Sequence, residues 1–177
     1  MNTVDFLKYQ AADDSPHHGI RTLFEHLLGT YKLLQNWGNE ETICNAGLFH
    51  SIYAVTRLKN VPISQSMRCF IQDQIGMEAE QLSYLYCVTS RQEFYLSSAP
   101  CQFRVSGGEQ VVAVSIAQYS FMLEIDAANI VDQIQHETGE TESDVKYWLS
   151  ACGKKYELLS KGAVVACQTT LQNLLPK

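Results

Sequence analysis

The spacing of apolar residues predicts a mainly helical chain. Residues from about 20 to 36 carry apolar positions three and four apart, which is the period of one helix face, and Gly38 follows as a stop signal. The inward-facing positions of this helix are Leu23, His26, Leu27, Thr30 and Leu34. This first stripe therefore places one histidine among apolar residues.

A second helix is expected to begin after Asn39, which is a favourable N-cap residue followed by Glu40 and Glu41. Its inward-facing positions are Ile43, Ala46, Gly47, His50, Tyr53 and Ala54. Further helices are predicted at about 64–75, 77–90 and 116–136, with Ser115 as the N-cap of the last, and one or two more reach Leu175. His26 and His50 should thus both face the interior.

The segment from 91 to 114 has a different pattern. "FRVSGGEQVVAV" consists of two short extended stretches around a Gly-Gly turn, which is typical of a small hairpin. The chain contains no repeats or interdomain linkers. We therefore expect one all-α domain over residues 1–177, a bundle of about six to seven helices with a short irregular or β-hairpin insertion near 94–114.

Composition and charge narrow the classes of partner. The net charge of −6 and pI near 5.3 argue against nucleic acid, because phosphate binding requires a basic face. No apolar run is close to the length of about 20 residues that a membrane span requires. The amino terminus lacks a signal-peptide pattern. The six cysteines form no C-x-x-C pair, which favours buried free thiols. A cytoplasmic protein with a small-molecule substrate is expected, and a homodimer is compatible with the sequence.

Three ionisable side chains fall on predicted inward faces and form the candidate site. They are His26, His50 and Asp126, the last on a stripe from which Asn129 and Asp132 are displaced. A buried carboxylate needs a partner, and two imidazoles with one carboxylate suit a single Fe, Mn or Zn ion. Hydrogen-bonded core histidines, without any metal, are the alternative.

"HHGIRT", at residues 17–22, is a second candidate feature. His18, Arg21 and Thr22 lie at the start of a helix whose free N–H groups favour an anion, although an ordinary loop is the competing interpretation. His136 follows the long fifth helix and should be exposed at its carboxyl end, where the helix dipole favours a cation.

Several of these motifs together resemble a known family. "RTLFEHLLGTYKLLQNWG", "AGLFHSIY", "IGMEAEQLSYLYC" and "AANIVDQ" are similar to an uncharacterised bacterial domain family related to the HD superfamily, which comprises all-helical, metal-dependent phosphohydrolases. The resemblance covers about residues 17–135. The chain departs from it twice: Ser51 stands where HD proteins have aspartate, and Ala54 and Val55 stand where the related family has Gly-Thr.

The resemblance implies roles for particular residues. His26 and His50 would be metal ligands or acid/base groups, Asp126 the late aspartate, and Asp132 the alternative to it. His18, Arg21 and Thr22 would line the mouth of the site. Tyr53 would offer a hydroxyl, and Ser51 and Asn129 would contact substrate. Arg68 and Glu80 are instead expected to form a structural ion pair.

These expectations lead to a hydrolase acting on a small, phosphorylated metabolite with at most one divalent metal. Three alternatives remain open at this point. One is a metal-free isomerase or cyclase using the histidines as acid and base. Another is a non-catalytic binding or interaction module with a decayed metal centre, for which Ser51 is the main argument. The third is an iron-dependent oxygenase on the same scaffold.

Overall fold

The computed structural model describes residues 3–7, 16–17, 21–53, 68–89, 95, 102–104, 111–136 and 142–174. Helices dominate, as the apolar spacing predicted. Their bounds are α1 Thr3–Leu7, α2 Leu23–Asn36, α3 Glu41–Leu48, α4 Arg68–Ile75, α5 Met77–Val88, α6 Ile116–Gln135, α7 Glu142–Gly153 and α8 Lys161–Asn173. A 3₁₀ turn, Tyr156–Leu158, precedes α8. The all-α prediction is confirmed.

Within the part of the chain that the structure describes, four short strands form two antiparallel pairs. β1 (Pro16–His17) pairs with β2 (Arg21–Thr22), and β3 (Gln102–Arg104) pairs with β4 (Val111–Ala113). The second pair is the hairpin predicted from "FRVSGGEQVVAV", with Phe103 opposite Val112. The first pair lies where a loop was expected.

Side-chain caps explain where the two principal helices begin. The Thr22 hydroxyl accepts from the backbone N–H of Glu25, and the Glu25 carboxylate accepts from the Thr22 N–H, so that α2 starts in a capping box. Ser115 and Gln118 form the same arrangement at α6, which confirms Ser115 as its N-cap. The register of both helices, and hence the direction of their site residues, is fixed by these caps.

Helix α6 lies at the centre of the described fold. It packs against α2, α3, α5, α7 and α8, and every residue from Met122 to Gln133 is buried. The prediction that Asn129 and Asp132 are displaced from the inward stripe was therefore wrong, because a central helix has neighbours on several sides. Both side chains point into the interior and are at most 4% exposed.

Helix α3 is shorter than predicted. It ends at Leu48, and a turn from 49 to 53 carries His50 and Tyr53, although both remain buried. Ala54 and Val55 lie outside the described residues. Cys44, Cys152 and Cys167 are buried as expected, whereas Cys69 is exposed. Within the described ranges no helix combines the length and apolar character needed to cross a bilayer.

Candidate functional site

His26 and His50 approach each other because α2 and α3 pack closely. Gly47 faces α2 at the contact, and a Cβ atom added there would lie 2.2 Å from Leu34 Cδ1 and 3.6 Å from Thr30 Cγ2. The two imidazole rings meet edge to face, with centroids 5.1 Å apart and planes at 79°. Their Nε2 atoms are 3.2 Å apart. The juxtaposition expected from the two apolar stripes is thus present.

Helix α6 supplies the polar residues that meet this pair. Asp126, Asn129 and Asp132 recur every three residues and share one side of the helix. Asn129 Oδ1 lies 2.9 Å from His26 Nε2 and 3.2 Å from His50 Nε2. Asp132 Oδ2 lies 2.7 Å from His26 Nδ1. We refer to His26, His50, Asn129 and Asp132 as the histidine cluster.

The Nδ1 atoms of both rings point away from the ring pair and donate hydrogen bonds to other groups. His26 Nδ1 donates to the Asp132 carboxylate, and His50 Nδ1 donates to the Gly47 carbonyl at 2.7 Å. In a neutral imidazole one nitrogen carries the proton and the other a lone pair. The two Nε2 atoms therefore present lone pairs to each other and to Asn129 Oδ1. Gln133 Nε2 donates to that oxygen at 3.3 Å, which orients the Asn129 amide.

The electrostatic environment keeps His50 neutral. Burial, and to a smaller extent the adjacent His26, lower its pKa to about 3. The Gly47 carbonyl, Asp126 and Asn129 oppose these effects but are weaker. His50 is therefore an unprotonated base over the physiological pH range. The His50 backbone carbonyl in turn accepts from Cys87 Sγ at 2.6 Å.

Asp126 has different partners from those predicted. Its Oδ1 accepts from the Tyr86 hydroxyl at 2.5 Å, and its Oδ2 accepts from the Tyr95 hydroxyl. The Tyr86 ring packs edge to face on His50, with centroids 5.5 Å apart. The aspartate that contacts a histidine is instead Asp132, the alternative choice. The sequence did not identify Tyr86 as a site residue, because nothing in its position on α5 indicates that its ring packs on His50.

The other predicted site residues have varied positions. Tyr53 is buried away from the histidine cluster: its ring packs on Tyr84, and burial and then the adjacent Glu80 carboxylate raise its pKa. Thr22 serves as the cap of α2. Ser51 is half-buried in the turn beside His50.

The predicted anion site at "HHGIRT" is described in part. Arg21 contributes its backbone to β2, and His18 lies outside the described residues. The Glu25 carboxylate already accepts from the Thr22 N–H at the start of α2. The roles given to His18, Arg21, Thr22 and Ser51 in binding substrate stay predictions.

Arg68 and Glu80 form the structural ion pair that was expected. Arg68 Nε and Nη2 donate to the two Glu80 oxygens at 2.6 and 2.9 Å, and Gln72 Nε2 adds a third bond at 2.9 Å. Burial alone would raise the pKa of Glu80, but these hydrogen bonds outweigh it and lower the pKa. We refer to Arg68, Gln72 and Glu80 as the arginine cluster.

Two further findings bear on the site. Among the described residues, no group of three or more His, Cys, Asp or Glu side chains is arranged to hold a metal ion. The histidine cluster differs from such a group because one of its converging atoms belongs to an asparagine. A groove of about 450 Å³ lies between α3, α6 and the 3₁₀ turn, and it is lined by residues outside the histidine cluster.

The comparisons with known proteins concern mainly the first half of the chain. Residues 6–91 match the family model of a domain of unknown function, DUF6817. No protein of curated function and no solved structure matches the chain. His26 and His50 lie within the matched residues, whereas Asn129 and Asp132 lie beyond them. The amino-terminal half of this chain is therefore similar to an uncharacterised domain family, and α6 adds the remaining members of the histidine cluster.

Proposed function

We propose that His26 Nε2, His50 Nε2 and Asn129 Oδ1 bind one divalent transition metal, and that the chain is a hydrolase acting on a small phosphorylated metabolite. One observation carries the proposal. Three lone-pair atoms converge within 2.9–3.2 Å of one another in a buried setting. When both rings are neutral, these three atoms are lone-pair atoms that repel one another at this distance, so the arrangement favours a cation between them.

The residues fit a metal ion in type and spacing. Imidazole nitrogens suit Zn, Fe and Mn, and an amide oxygen completes a set of three protein ligands. Ligand atoms that bind one such ion at about 2.0–2.2 Å lie roughly 3.0–3.5 Å apart, which agrees with the distances between these three atoms. Three protein ligands also leave a position for substrate or water, as catalytic sites require.

The surroundings of the two histidines have the form expected around metal ligands. A metal-binding histidine nearly always donates its second ring N–H to a carboxylate or a backbone carbonyl, which fixes the ring and raises its basicity. Asp132 does this for His26, and the Gly47 carbonyl does it for His50. Asp132 is therefore assigned to orientation of His26, and Asn129 replaces the predicted aspartate as third ligand.

The chemistry follows from the charge of this ligand set. A bound divalent ion supplies Lewis acidity and acidifies water near neutral pH, and its full charge, unreduced by neutral ligands, favours an anionic substrate such as a phosphate ester. The protein's own residues hold the three ligand atoms in place and exclude bulk water, since His26 and His50 are at most 2% exposed. Ser51, where HD proteins have aspartate, limits the proposal to one ion.

The His26–Asp132 contact favours a second candidate function. With a proton on both of its nitrogens, His26 would donate from Nδ1 to the Asp132 carboxylate at 2.7 Å and from Nε2 to His50 Nε2 at 3.2 Å. The two rings would share one proton and act as a metal-free acid/base pair, as in an isomerase or cyclase. This arrangement needs a proton where the first needs a metal, so the two functions are experimentally separable.

The test is metal analysis of protein purified without chelators, followed by titration of the metal-free protein with Zn²⁺, Fe²⁺ and Mn²⁺. We expect one ion per chain and loss of that ion in His50→Ala. Protein that neither contains nor acquires an ion would refute the metal site. A single proton shared between the Nε2 atoms, observed by ¹⁵N NMR of the imidazoles, would then support the acid/base pair.

Asn129→Asp sharpens the result. If the Asn129 oxygen is a ligand, a carboxylate oxygen keeps the ion and binds it more tightly. If the Asn129 amide instead serves by donating N–H groups to both Nε2 atoms, aspartate lacks those donors and the variant loses stability without binding metal. Glu80→Gln, in the arginine cluster, is the matched control and should keep the full metal content.

A further inference from the structure

His136 connects the histidine cluster with the protein surface. It is the C-cap of α6, and its side chain is 43% exposed. Its Nδ1 donates to the Asp132 backbone carbonyl at 2.9 Å and lies 3.6 Å from Asp132 Oδ1. The same aspartate holds His26 Nδ1 through its other oxygen, Oδ2. An unbroken series of contacts therefore runs from solvent through Asp132 to His26.

Asp132 is the member of this series on which both histidines act. It is 1% exposed, so the surrounding medium screens its charge poorly. Its carboxylate accepts the Nδ1–H of His26 and so orients the ring for a metal ion. A positive charge beside Oδ1 weakens the hydrogen bond that Asp132 accepts from His26, whereas a neutral group leaves that bond unchanged.

We propose that His136 is a positioning residue that sets the metal affinity of His26 through Asp132. The inference rests on the proposed function, because the affinity belongs to the same metal site. The geometry carries the inference, because His136 Nδ1 both donates to the Asp132 backbone carbonyl and lies 3.6 Å from the carboxylate that holds His26.

A groove beside this end of α6 is lined by apolar and uncharged polar residues, namely Ile134, Gln135, Ala166, Thr169, Thr170, Asn173 and Leu174. The charged group that the geometry places beside His136 is Asp132. A change of charge at position 136 acts on the metal site by way of this carboxylate.

The experiment compares His136→Lys, His136→Gln and His136→Glu with the unaltered chain at pH 8. Zn²⁺ affinity is measured by competition with a chromophoric chelator. Lysine supplies a permanent cation and should weaken binding about two- to fivefold relative to glutamine, the range expected for a partly exposed charge pair. Glutamate should bind at least as tightly as glutamine. A purely structural cap would give no order that follows charge.

A second measurement tests the inference without metal. The His26 Nδ1–H resonance of the metal-free protein reports the strength of its hydrogen bond to Asp132, and it should move upfield in His136→Lys relative to His136→Gln. Equal affinities and an unmoved resonance in the lysine, glutamine and glutamate variants would overturn the inference. If the unaltered chain binds no metal, the proposed function fails, and the resonance alone decides the role of His136.

Discussion

Two buried polar clusters in this protein differ in how their hydrogen bonds are satisfied. In the arginine cluster each Glu80 oxygen accepts from an Arg68 donor, and Gln72 provides one more. In the histidine cluster the outer ring nitrogens are equally well paired, but His26 Nε2, His50 Nε2 and Asn129 Oδ1 face one another as acceptors.

The difference separates a structural role from a functional one. Donors matched to acceptors hold two helices together and leave nothing for a ligand to bind. Acceptors gathered around one point are stable once a cation or a proton lies between them. Each cluster contains a fully buried ionisable side chain, since Glu80 and His26 are both 0% exposed, so burial of such a group alone does not identify a site.

The largest expected effect is the loss of stability on acidification, which the histidine cluster should cause at higher pH than the arginine cluster. The pKa of His50 is lowered from 6.5 to about 3, so between these values the unfolded chain binds a proton that the folded protein does not. The corresponding stability is complete above pH 6.5 and is lost as the pH falls toward 3, by at most about 5 kcal/mol. Urea unfolding of metal-free protein at several pH values measures this loss.

The two clusters should also respond in separate pH ranges. The pKa of Glu80 lies below its ordinary 4.5, so its contribution is present above pH 4.5 and is lost as the pH falls through the lowered pKa. His50→Gln should remove the pH dependence of the free energy of unfolding between pH 6.5 and 4.5. Glu80→Gln should leave the pH dependence in that range unchanged. A slope that persists in His50→Gln would contradict the assignment.

Glu80→Gln is expected to give the next largest effect. It removes the charge that Arg68 and Gln72 bind, and hydrogen bonds to charged groups contribute roughly 1.5–3 kcal/mol. Because the Arg68 side chain is 32% exposed and partly screened, we expect a loss of about 2 kcal/mol in the free energy of unfolding. Urea midpoints measure it. Loss of bound metal in this variant would show that the clusters are not independent.

Asp132→Asn should lower metal affinity with little effect on the ligands themselves. The amide accepts more weakly from His26 Nδ1, and changes to such orienting groups cost about 10- to 100-fold in affinity, or about 1.4–2.7 kcal/mol. Asp126→Asn is the matched control on the same helix, because Asp126 accepts from Tyr86 and Tyr95 rather than serving a ligand. An equal loss in both variants would argue against a specific role for Asp132.

The smallest effect is expected for the stability of metal-free Asn129→Leu. Leucine has the same number and branching of heavy atoms as asparagine and removes one of three opposed acceptors, so the free energy of unfolding should change by less than about 1 kcal/mol while metal binding is lost. Gln72→Met is the comparable change in the arginine cluster, where it removes a donor to Glu80 and should cost more. A larger loss for Asn129→Leu would mean that its amide already satisfies the histidines by donating to them.

Sequence patterns anticipated much of the fold. The start of α6 at Ser115 and the burial of His26 and His50 follow from capping residues and three–four spacing, which are local properties. Helix α3 was predicted too long, since no glycine or proline marks its end at Leu48. The first strand pair was missed because two residues are too short for any periodicity.

The partners of the site residues were less predictable. Asp126 lies on the apolar stripe of α6 and was preferred as the site aspartate for that reason. Its carboxylate instead accepts hydrogen bonds from Tyr86 and Tyr95, and Asp132 is the aspartate that contacts His26. One stripe defines one inward side, whereas a central helix has several. Periodicity could not rank the inward positions of α6, because almost every residue in its middle is buried.

The sequence by itself determined that His26 and His50 turn inward and that α6 begins after Ser115. These outcomes depend on interactions within a few residues along the chain. The tertiary structure decided that the two Nε2 atoms meet at 3.2 Å and that Asn129 and Asp132 join His26. The first contact joins residues 24 positions apart, and the other two join residues 103 and 106 positions apart. They depend on the packing of α2, α3 and α6 against one another, which no local pattern encodes.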